Sequence, residues 1–201
     1  MPVGFEQIEL VGDKVRLRPI READAEDAYR LFTDDRVFSQ MAGESSGSLD
    51  EQREFYRGRA ERLRTGESYS LAIEEVARPG LIGGISAYPR LHPQQIDIGY
   101  WLGVPYWNKG YVTEAVRLVC HFSFVYLDAA RAYATVFVGN IGSRRVLEKN
   151  GFSVDGTLRS HVFKGGQFVD SWFLTLLRSE WDAGQERFSP RYEDIVVAKG
   201  E

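Results

Sequence analysis

Residues that form disulfides and metal sites are scarce in this sequence. Its 201 residues include one cysteine, Cys120, and three histidines. A single cysteine cannot form an internal disulfide, and no Cys or His spacing typical of metal ligands occurs. Cys120 stands among apolar neighbours in a helical stretch, so we expect a buried thiol and not a nucleophile. We therefore expect no internal disulfide and no bound metal.

Long apolar runs and an excess of basic charge are also missing. No apolar run is long enough to span a bilayer, and the first residues, "MPVGFEQIEL", lack the cationic and apolar regions of a signal peptide. We expect a cytoplasmic protein that does not bind membranes. The 25 Lys and Arg against 29 Asp and Glu give a net charge of -4. This balance argues against a nucleic-acid surface and is compatible with a cationic partner.

No linker rich in Pro, Gly or Ser divides the chain. We therefore expect a single domain over residues 1–201, with its core at about 9–181 and a polar tail of little pattern at 182–201. The sequence leaves open whether the protein is a monomer or a homodimer.

Apolar periodicity predicts an alternation of strands and helices. Strands are expected at 15–20, in a hairpin at 69–88 that turns at Pro79-Gly80, at 96–102, at 131–138 and in a final hairpin around "VFKGGQFV". Helices are expected at 21–32, from a capping box at Ser48 to Leu63, at 113–127 and at 143–150. Gly99 inside a strand indicates a bulge or a close backbone approach. This order predicts an α/β (α+β) fold with a mixed sheet, helices on both faces and a central parallel pair.

The stretch "YWNKGYVTEAV", residues 106–116, joins an extended run to a helix. Such a glycine turn aims free backbone N–H groups and the positive end of the helix dipole at one point, which suits a phosphate. Lys109 can add a charge, Gly110 allows a close approach and Thr113 can cap the helix. An ordinary capped turn would explain the same residues. Neither the P-loop pattern nor G-x-G-x-x-G occurs in the chain.

Three segments in order carry a family resemblance. They are "IGYWL" at 98–102, the loop "WNKGYV" at 107–112 and "NIGSRRVLEKNGF" at 140–152. Together they resemble the GNAT superfamily of acetyl-CoA-dependent N-acetyltransferases over about residues 9–181. The branch that acetylates the N-termini of ribosomal proteins is especially similar, through "LRP" in the first strand and "YWNKGYVTEA" in the loop.

The resemblance implies a mostly antiparallel twisted sheet whose central parallel strands, 96–102 and 132–138, splay apart around acetyl-CoA. It implies cofactor contacts from Tyr100, Trp101, Leu102, Asn108, Lys109, Gly110, Tyr111, Val112, Thr113, Asn140 and Ser143. The backbone N–H near Leu102 would stabilise the oxyanion of the reacting thioester. Val112 departs from the usual Ala or Gly and could crowd a phosphate, whereas Asn108 in place of Gly tolerates a left-handed backbone.

Two proton transfers remain to be assigned. Asp97 matches a carboxylate that many family members use, through water, to deprotonate the amine, although a surface strand position explains it equally well. Asp170 and Glu44 are weaker alternatives. Leu147 stands where many members have a tyrosine for the leaving thiolate, so the resemblance points to Ser143, which could instead simply start a helix. Asn140 could bind the cofactor arm or cap that helix.

Several alternatives stay open at this point. The stretch "GESSG", 43–47, matches the G-x-S-x-G elbow of serine hydrolases, but no buried strand precedes it, so we expect a substrate-side loop. His161 is expected to be structural. The acceptor could be a protein N-terminus, such as that of a ribosomal protein, or a small amine such as an antibiotic or polyamine. A non-catalytic acyl-CoA-binding domain is the remaining alternative.

Overall fold

The computed structural model describes residues 7–42, 47–90, 94–188 and 197–198. The strands are β1 (Gln7–Ile8), β2 (Leu10–Val11), β3 (Val15–Pro19), β4 (Tyr69–Glu75), β5 (Arg78–Pro89), β6 (Gln95–Leu102), β7 (Arg131–Phe137), β8 (Ser153–Lys164), β9 (Gln167–Leu177) and β10 (Val197–Ala198). The helices are α1 (Ala25–Phe32), α2 (Asp35–Phe38), α3 (Leu49–Arg64), α4 (Tyr111–His121), α5 (Ile141–Glu148) and α6 (Arg178–Phe188). In the described part of the chain, no helix is long and apolar enough to cross a membrane.

Eight strands form one mixed sheet in the order β2-β3-β4-β5-β6-β7-β9-β8. Every neighbouring pair is antiparallel except β6 and β7, which are parallel. The mixed, mostly antiparallel sheet with one central parallel pair is therefore confirmed. Separately, β1 pairs with β10.

The parallel pair holds together over only part of its length. Backbone pairing between β6 and β7 covers Gln95 to Asp97, and β6 then continues to Leu102 beside β5 alone. The predicted splay is therefore present. The bulge predicted at Gly99 was wrong, because Gly99 faces Ser86 in an unbroken β5–β6 register. β6 separates from β7 without inserting an extra residue.

The two faces of the sheet carry different helices. Alternate residues of β4 point to opposite sides, so Leu71 and Ile73 join the large core around α4, whereas Ala72 joins a smaller core with α1 and α3. The helix α4 is buried on most of its surface, as its nearly continuous apolar sequence predicts. It continues past His121 in a wider helical turn that ends at Tyr126.

One predicted turn was wrong. The first hairpin turns at Val76-Ala77, and Pro79-Gly80 belongs to β5, where the register shifts accommodate Gly80 at φ 130°. Near the end of the core expected at about 9–181, Trp181 is buried and stacks on Phe124 at 5.5 Å, and the helix α6 that carries it continues to Phe188, into the stretch that was expected to show little pattern. Farther along, β10 pairs with β1. A two-residue strand is too short to leave a periodic signal.

A buried ion-pair network connects the residue before α1 to the sheet. Arg18 of β3 contacts Asp24 through two hydrogen bonds, of 2.7 and 2.8 Å, and contacts Glu74 of β4 at 2.8 and 3.0 Å. The side chains of Asp24 and Glu74 are each 9% exposed. Arg18 is the arginine of the "LRP" sequence, which therefore has a structural role in this protein.

Candidate active site

A cleft of about 710 Å³ lies where β6 and β7 separate. Its lining comes from both faces of the sheet, because Tyr56 and Arg59 of α3 and Val112 and Thr113 of α4 all contribute to it. The gap between the two strands thus connects the two faces. Among the residues predicted for cofactor binding, the cleft is lined by Tyr100, Trp101, Leu102, Asn108, Gly110, Tyr111, Val112, Thr113, Asn140 and Ser143. Asp97 lines it as well.

One end of the cleft is formed by the loop that leads into α4. Asn108 and Gly110 adopt left-handed conformations, with φ of 60° and 84°. Gly110 is the N-cap residue of α4, so the backbone N–H groups of the first helical turn have no partner within the helix. Together with the helix dipole, these groups can hold a phosphate. The expected cap at Thr113 was wrong, because Thr113 lies inside the first turn.

Other residues fix the position of this helix start. The carboxylate of Glu114 accepts hydrogen bonds of 2.8 to 3.0 Å from the backbone N–H groups of Asp13, Lys14 and Val15. The buried Asn150 donates to the carbonyls of Thr113, at 3.1 Å, and Val146, at 2.8 Å. The start of α4 is therefore held by the turn before β3 and by Asn150, just after α5.

The cations at the cleft differ from the one predicted. Lys109 does not line it; its Nζ lies 5.6 Å from the ring centre of Tyr106, and Lys109 lines a separate depression. Instead, Arg145 and Lys149 of the α5 region line the cleft. They stand four residues apart on one helical face, and that spacing was the sequence signal available for finding them.

Val112 contacts both the core and the cleft. It is half-buried, packs against the core cluster beneath α4 and also contributes to the cleft lining. The predicted crowding of a phosphate by Val112 stays a prediction.

Tyr100 and Ser143 meet across the gap between the strands. The Tyr100 hydroxyl lies 2.8 Å from Ser143 Oγ and 3.0 Å from the Ser143 carbonyl oxygen. Burial raises the pKa of Tyr100, so its phenol is protonated at neutral pH. The cap of α5 is Asn140, whose Oδ1 accepts the backbone N–H of Ser143 at 3.0 Å. Ser143 is therefore not the residue that starts the helix, and its hydroxyl is left to face Tyr100 at the cleft.

The backbone of Leu102 faces the gap. Leu102 is paired with Gly83, and the neighbouring Gly103 N–H donates to the Ile82 carbonyl at 2.9 Å. Because antiparallel pairs alternate between hydrogen-bonded and non-hydrogen-bonded, the N–H and C=O of Leu102 point away from β5. The Leu102 carbonyl accepts the indole N–H of Trp107 at 2.7 Å. Its N–H is directed to the side on which β7 has separated.

Alternation along β6 separates the predicted site residues. Tyr100 packs on the α4 side, whereas Asp97, Gly99 and Trp101 point to the α1 and α3 side. The ring of Trp101 lies 4.3 Å from that of Phe32. Trp101 therefore shapes the opposite face of the cleft from Tyr100.

The candidate bases occupy different places. Asp97 lines the cleft, and its Oδ2 accepts a hydrogen bond from Arg90 Nη2 at 2.9 Å, which raises the pKa of Arg90. Asp170 does not line the cleft, and its Oδ1 accepts the backbone N–H of Ser160 at 2.8 Å. Residues 43–46 of the "GESSG" stretch, which include Glu44, lie outside the described residues.

A polar cluster that the sequence did not reveal borders the cleft beside Asp97. Arg59 of α3 donates through Nη1 to Ser70 Oγ at 2.8 Å, to Ser86 Oγ at 3.3 Å and to the Tyr88 hydroxyl. Its guanidinium lies 4.5 Å from the ring centre of Phe55. Ser86 faces Gly99, and Tyr88 faces Asp97, in the β5–β6 register.

Two remaining candidates have no part in the cleft. Cys120 is fully buried, and burial raises the pKa of its thiol, as expected for a structural cysteine. His161 Nδ1 lies 3.1 Å from Ser171 Oγ, on the β8–β9 hairpin. Among the described residues, no group of three or more His, Cys, Asp or Glu side chains is arranged to hold a metal ion.

A family model, curated relatives and solved structures all match this chain. The model of the acetyltransferase (GNAT) domain family matches residues 14–153, more than half of the chain. The chain belongs to the GNAT acetyltransferase family. This GNAT chain is 33% identical over 177 residues to the probable N-acetyltransferase YjcK of Bacillus subtilis (strain 168), and the match covers 85% of this chain and 98% of YjcK. It is therefore an N-acetyltransferase enzyme.

Solved GNAT structures share the fold. Mycobacterium smegmatis RimJ, in complex with CoA-disulfide, superposes with a TM-score of 0.80 at 23% identity over 90% of this chain and 91% of RimJ. The spermidine N-acetyltransferase of Vibrio cholerae, in complex with CoA and spermine, superposes with a TM-score of 0.73 at 20% identity. The match covers 83% of this chain and 97% of the Vibrio cholerae enzyme. The first of these structures holds CoA-disulfide, and the second holds CoA and spermine.

Proposed function

We propose that this GNAT enzyme transfers an acetyl group from acetyl-CoA to the N-terminal α-amine of a protein or peptide. The observation that carries the proposal is the single cleft that joins both faces of the sheet through the gap between β6 and β7. A cofactor held at the α4 turn and an amine entering from the α1 and α3 side could meet in that gap. Direct attack in a ternary complex then needs no covalent enzyme intermediate.

The residues of the cleft suit acetyl-CoA as the donor, which supplies a reactive acetyl thioester. The free N–H groups after Gly110 would hold its pyrophosphate, and Arg145 and Lys149 would add positive charge. The Leu102 N–H, directed into the gap, would donate to the carbonyl oxygen as negative charge develops there. The Ser143 hydroxyl, beside Tyr100, would donate to the departing thiolate.

The charges of the cleft favour an α-amine over a polyamine. Of the described residues that line it, Asp97 is the one carboxylate, and Arg90 already pairs with it, whereas Arg59 brings a positive charge. A polyamine carries several cations and would find no free carboxylate among these side chains. An α-amine has a pKa of about 8, so about a tenth of it is neutral at pH 7, against fewer than about one in a thousand for an alkyl amine with a pKa near 10.4. An α-amine therefore depends less on a strong base.

The test is the initial rate of CoA release from acetyl-CoA with a panel of acceptors. The panel contains peptides with a free N-terminus and no lysine, Nα-acetyl-lysine, and spermidine. We expect the highest kcat/KM with the peptides. A higher kcat/KM with spermidine would contradict the proposed acceptor, and acetyl-CoA binding without turnover on any amine would favour the non-catalytic alternative.

A further inference from the structure

Arg59 is a partly buried cation that has no counter-ion among the residues that the structure describes. Of the ion pairs among the described residues none involves Arg59, although its neighbours in α3 pair with carboxylates; Arg57, for example, pairs with Glu22 at 2.8 Å. The partners of Arg59 are three neutral hydroxyl groups, on Ser70, Ser86 and Tyr88. Keeping a guanidinium away from water without an anion is unfavourable, so this position is suited to an anion supplied from outside.

The surroundings of Arg59 hold its guanidinium in one orientation. It lies 4.5 Å from the ring centre of Phe55 and 5.5 Å from that of Tyr88. All three hydrogen bonds are made by Nη1, and Nε is buried with no partner among the described residues. Nη2 therefore remains for a ligand. A guanidinium fixed in this way loses little entropy on binding a carboxylate, and its planar fork matches carboxylate geometry.

The location of Arg59 links this anion site to the acceptor side of the cleft. Arg59 lines the cleft and contacts Ser86 and Tyr88, which face Gly99 and Asp97 across the β5–β6 register. Leu102 lies three residues beyond Gly99, or about 10 Å along the strand. An extended peptide covers that distance in about three residues. A carboxylate at Arg59 would thus belong to the second or third residue of a peptide whose α-amine lies near Leu102.

We propose that Arg59 binds a carboxylate of the acceptor, so that the enzyme prefers protein N-termini with Asp or Glu at the second or third position. This inference rests on the proposed function, because it specifies the sequence of the same peptide acceptor. Ser70, Ser86 and Tyr88 act as positioning residues that hold the guanidinium. Asp97, the one carboxylate among the described residues that line the cleft, is paired with Arg90 at 2.9 Å.

The experiment compares matched lysine-free peptides that carry Asp or Asn at position two, or at position three. We expect kcat/KM to be about ten-fold or more higher for at least one Asp peptide than for its Asn partner, as a charge-assisted hydrogen bond would give. Arg59→Gln should bring this ratio close to one, because kcat/KM should fall more for the Asp peptides than for the Asn peptides. Arg59→Lys, which keeps the charge without the fork, should give an intermediate ratio. Arg57→Gln, on the exposed side of the same helix, should keep the parental ratio.

The failures of the two proposals are distinguishable. Equal kcat/KM values for Asp and Asn peptides in the parent, or a preference that persists in Arg59→Gln, would overturn the carboxylate inference and leave the proposed function intact. If neither peptide is acetylated, the proposed function fails, and calorimetric binding of the same peptides in the presence of CoA decides whether Arg59 selects the carboxylate. Thermal melting of each variant verifies that it is folded. If Arg59→Gln is destabilised, Arg59→Lys takes its place in the kinetic comparison and in the calorimetric comparison.

Discussion

Ser143 gives the sharpest prediction for a single residue. Because Asn140 caps α5, the Ser143 hydroxyl contributes no cap and instead contacts Tyr100 at 2.8 Å. If it donates to the departing thiolate, the interaction exists mainly in the transition state. Ser143→Ala should then lower kcat and kcat/KM alike, by about a hundred-fold or more, and leave acetyl-CoA affinity nearly unchanged.

The measurement combines steady-state kinetics with acetyl-CoA titration by calorimetry. Ser153→Ala, at an exposed position outside the cleft, should keep parental values and serves as the control. A folded Ser143→Ala variant with parental kcat would end the catalytic assignment.

Asp97 gives a prediction that depends on pH. If it accepts a proton from the α-amine through water, Asp97→Asn should slow turnover at neutral pH. The loss is bounded at about ten-fold at pH 7, because about a tenth of an amine with a pKa near 8 is already neutral there. As pH rises through 8 the amine deprotonates unaided, so the rate of the variant should approach that of the parent by about pH 9.

The pH–rate profile of Asp97→Asn is compared with that of Asp170→Asn, which removes a carboxylate outside the cleft. Asp170→Asn should follow the parental profile. If the Asp97→Asn profile also runs parallel to the parent's, Asp97 is a structural partner of Arg90 and not the base.

At the scale of elements, the turn before α4 should govern cofactor affinity. Gly110 has φ of 84°, and a side chain there would be strained and would bring its Cβ within 3.3 Å of Lys14 Nζ. Acetyl-CoA at a hundred times its dissociation constant should stabilise the parent by about 2.7 kcal/mol. Gly110→Val should abolish this stabilisation, which thermal melting with and without acetyl-CoA measures.

Gly165→Val provides the matched control, because Gly165 also has a positive φ, of 59°, but lies in the β8–β9 turn with open space around it. It should lose stability and keep its response to acetyl-CoA. An unchanged acetyl-CoA response in Gly110→Val would mean that this turn holds no phosphate.

The Arg18 network connects secondary-structure elements and should contribute to the stability of the fold. Arg18→Ala leaves Asp24 and Glu74 buried without their cation, so we expect a loss of about 3–5 kcal/mol in the free energy of unfolding. Arg16→Ala, on the same strand, removes a largely exposed pair with Glu9 and should cost about 1 kcal/mol or less. Urea unfolding of both variants gives the comparison, and a similar small loss in each would contradict the structural role of Arg18.

At the scale of the whole molecule, the features that could be predicted from the sequence are those that local residue patterns determine. Alternation and turn residues gave the strands and the mixed sheet, and the three family segments pointed to the loop at Gly110 and to Ser143. Arg59 was missed because α3 has several arginines, and only tertiary packing decides which of them faces the cleft. The bulge at Gly99 was a wrong prediction because a glycine in a strand does not by itself fix the register.

The central claim is that this fold acetylates an α-amine. The most direct measurement uses a peptide that contains a free N-terminus and one lysine, incubated with enzyme and acetyl-CoA and analysed by fragmentation mass spectrometry. We predict a single acetyl group on the N-terminal nitrogen and an unmodified lysine. Acetylation of the lysine in preference to the N-terminus, or no acetylation of a peptide under conditions in which spermidine is acetylated, would contradict it.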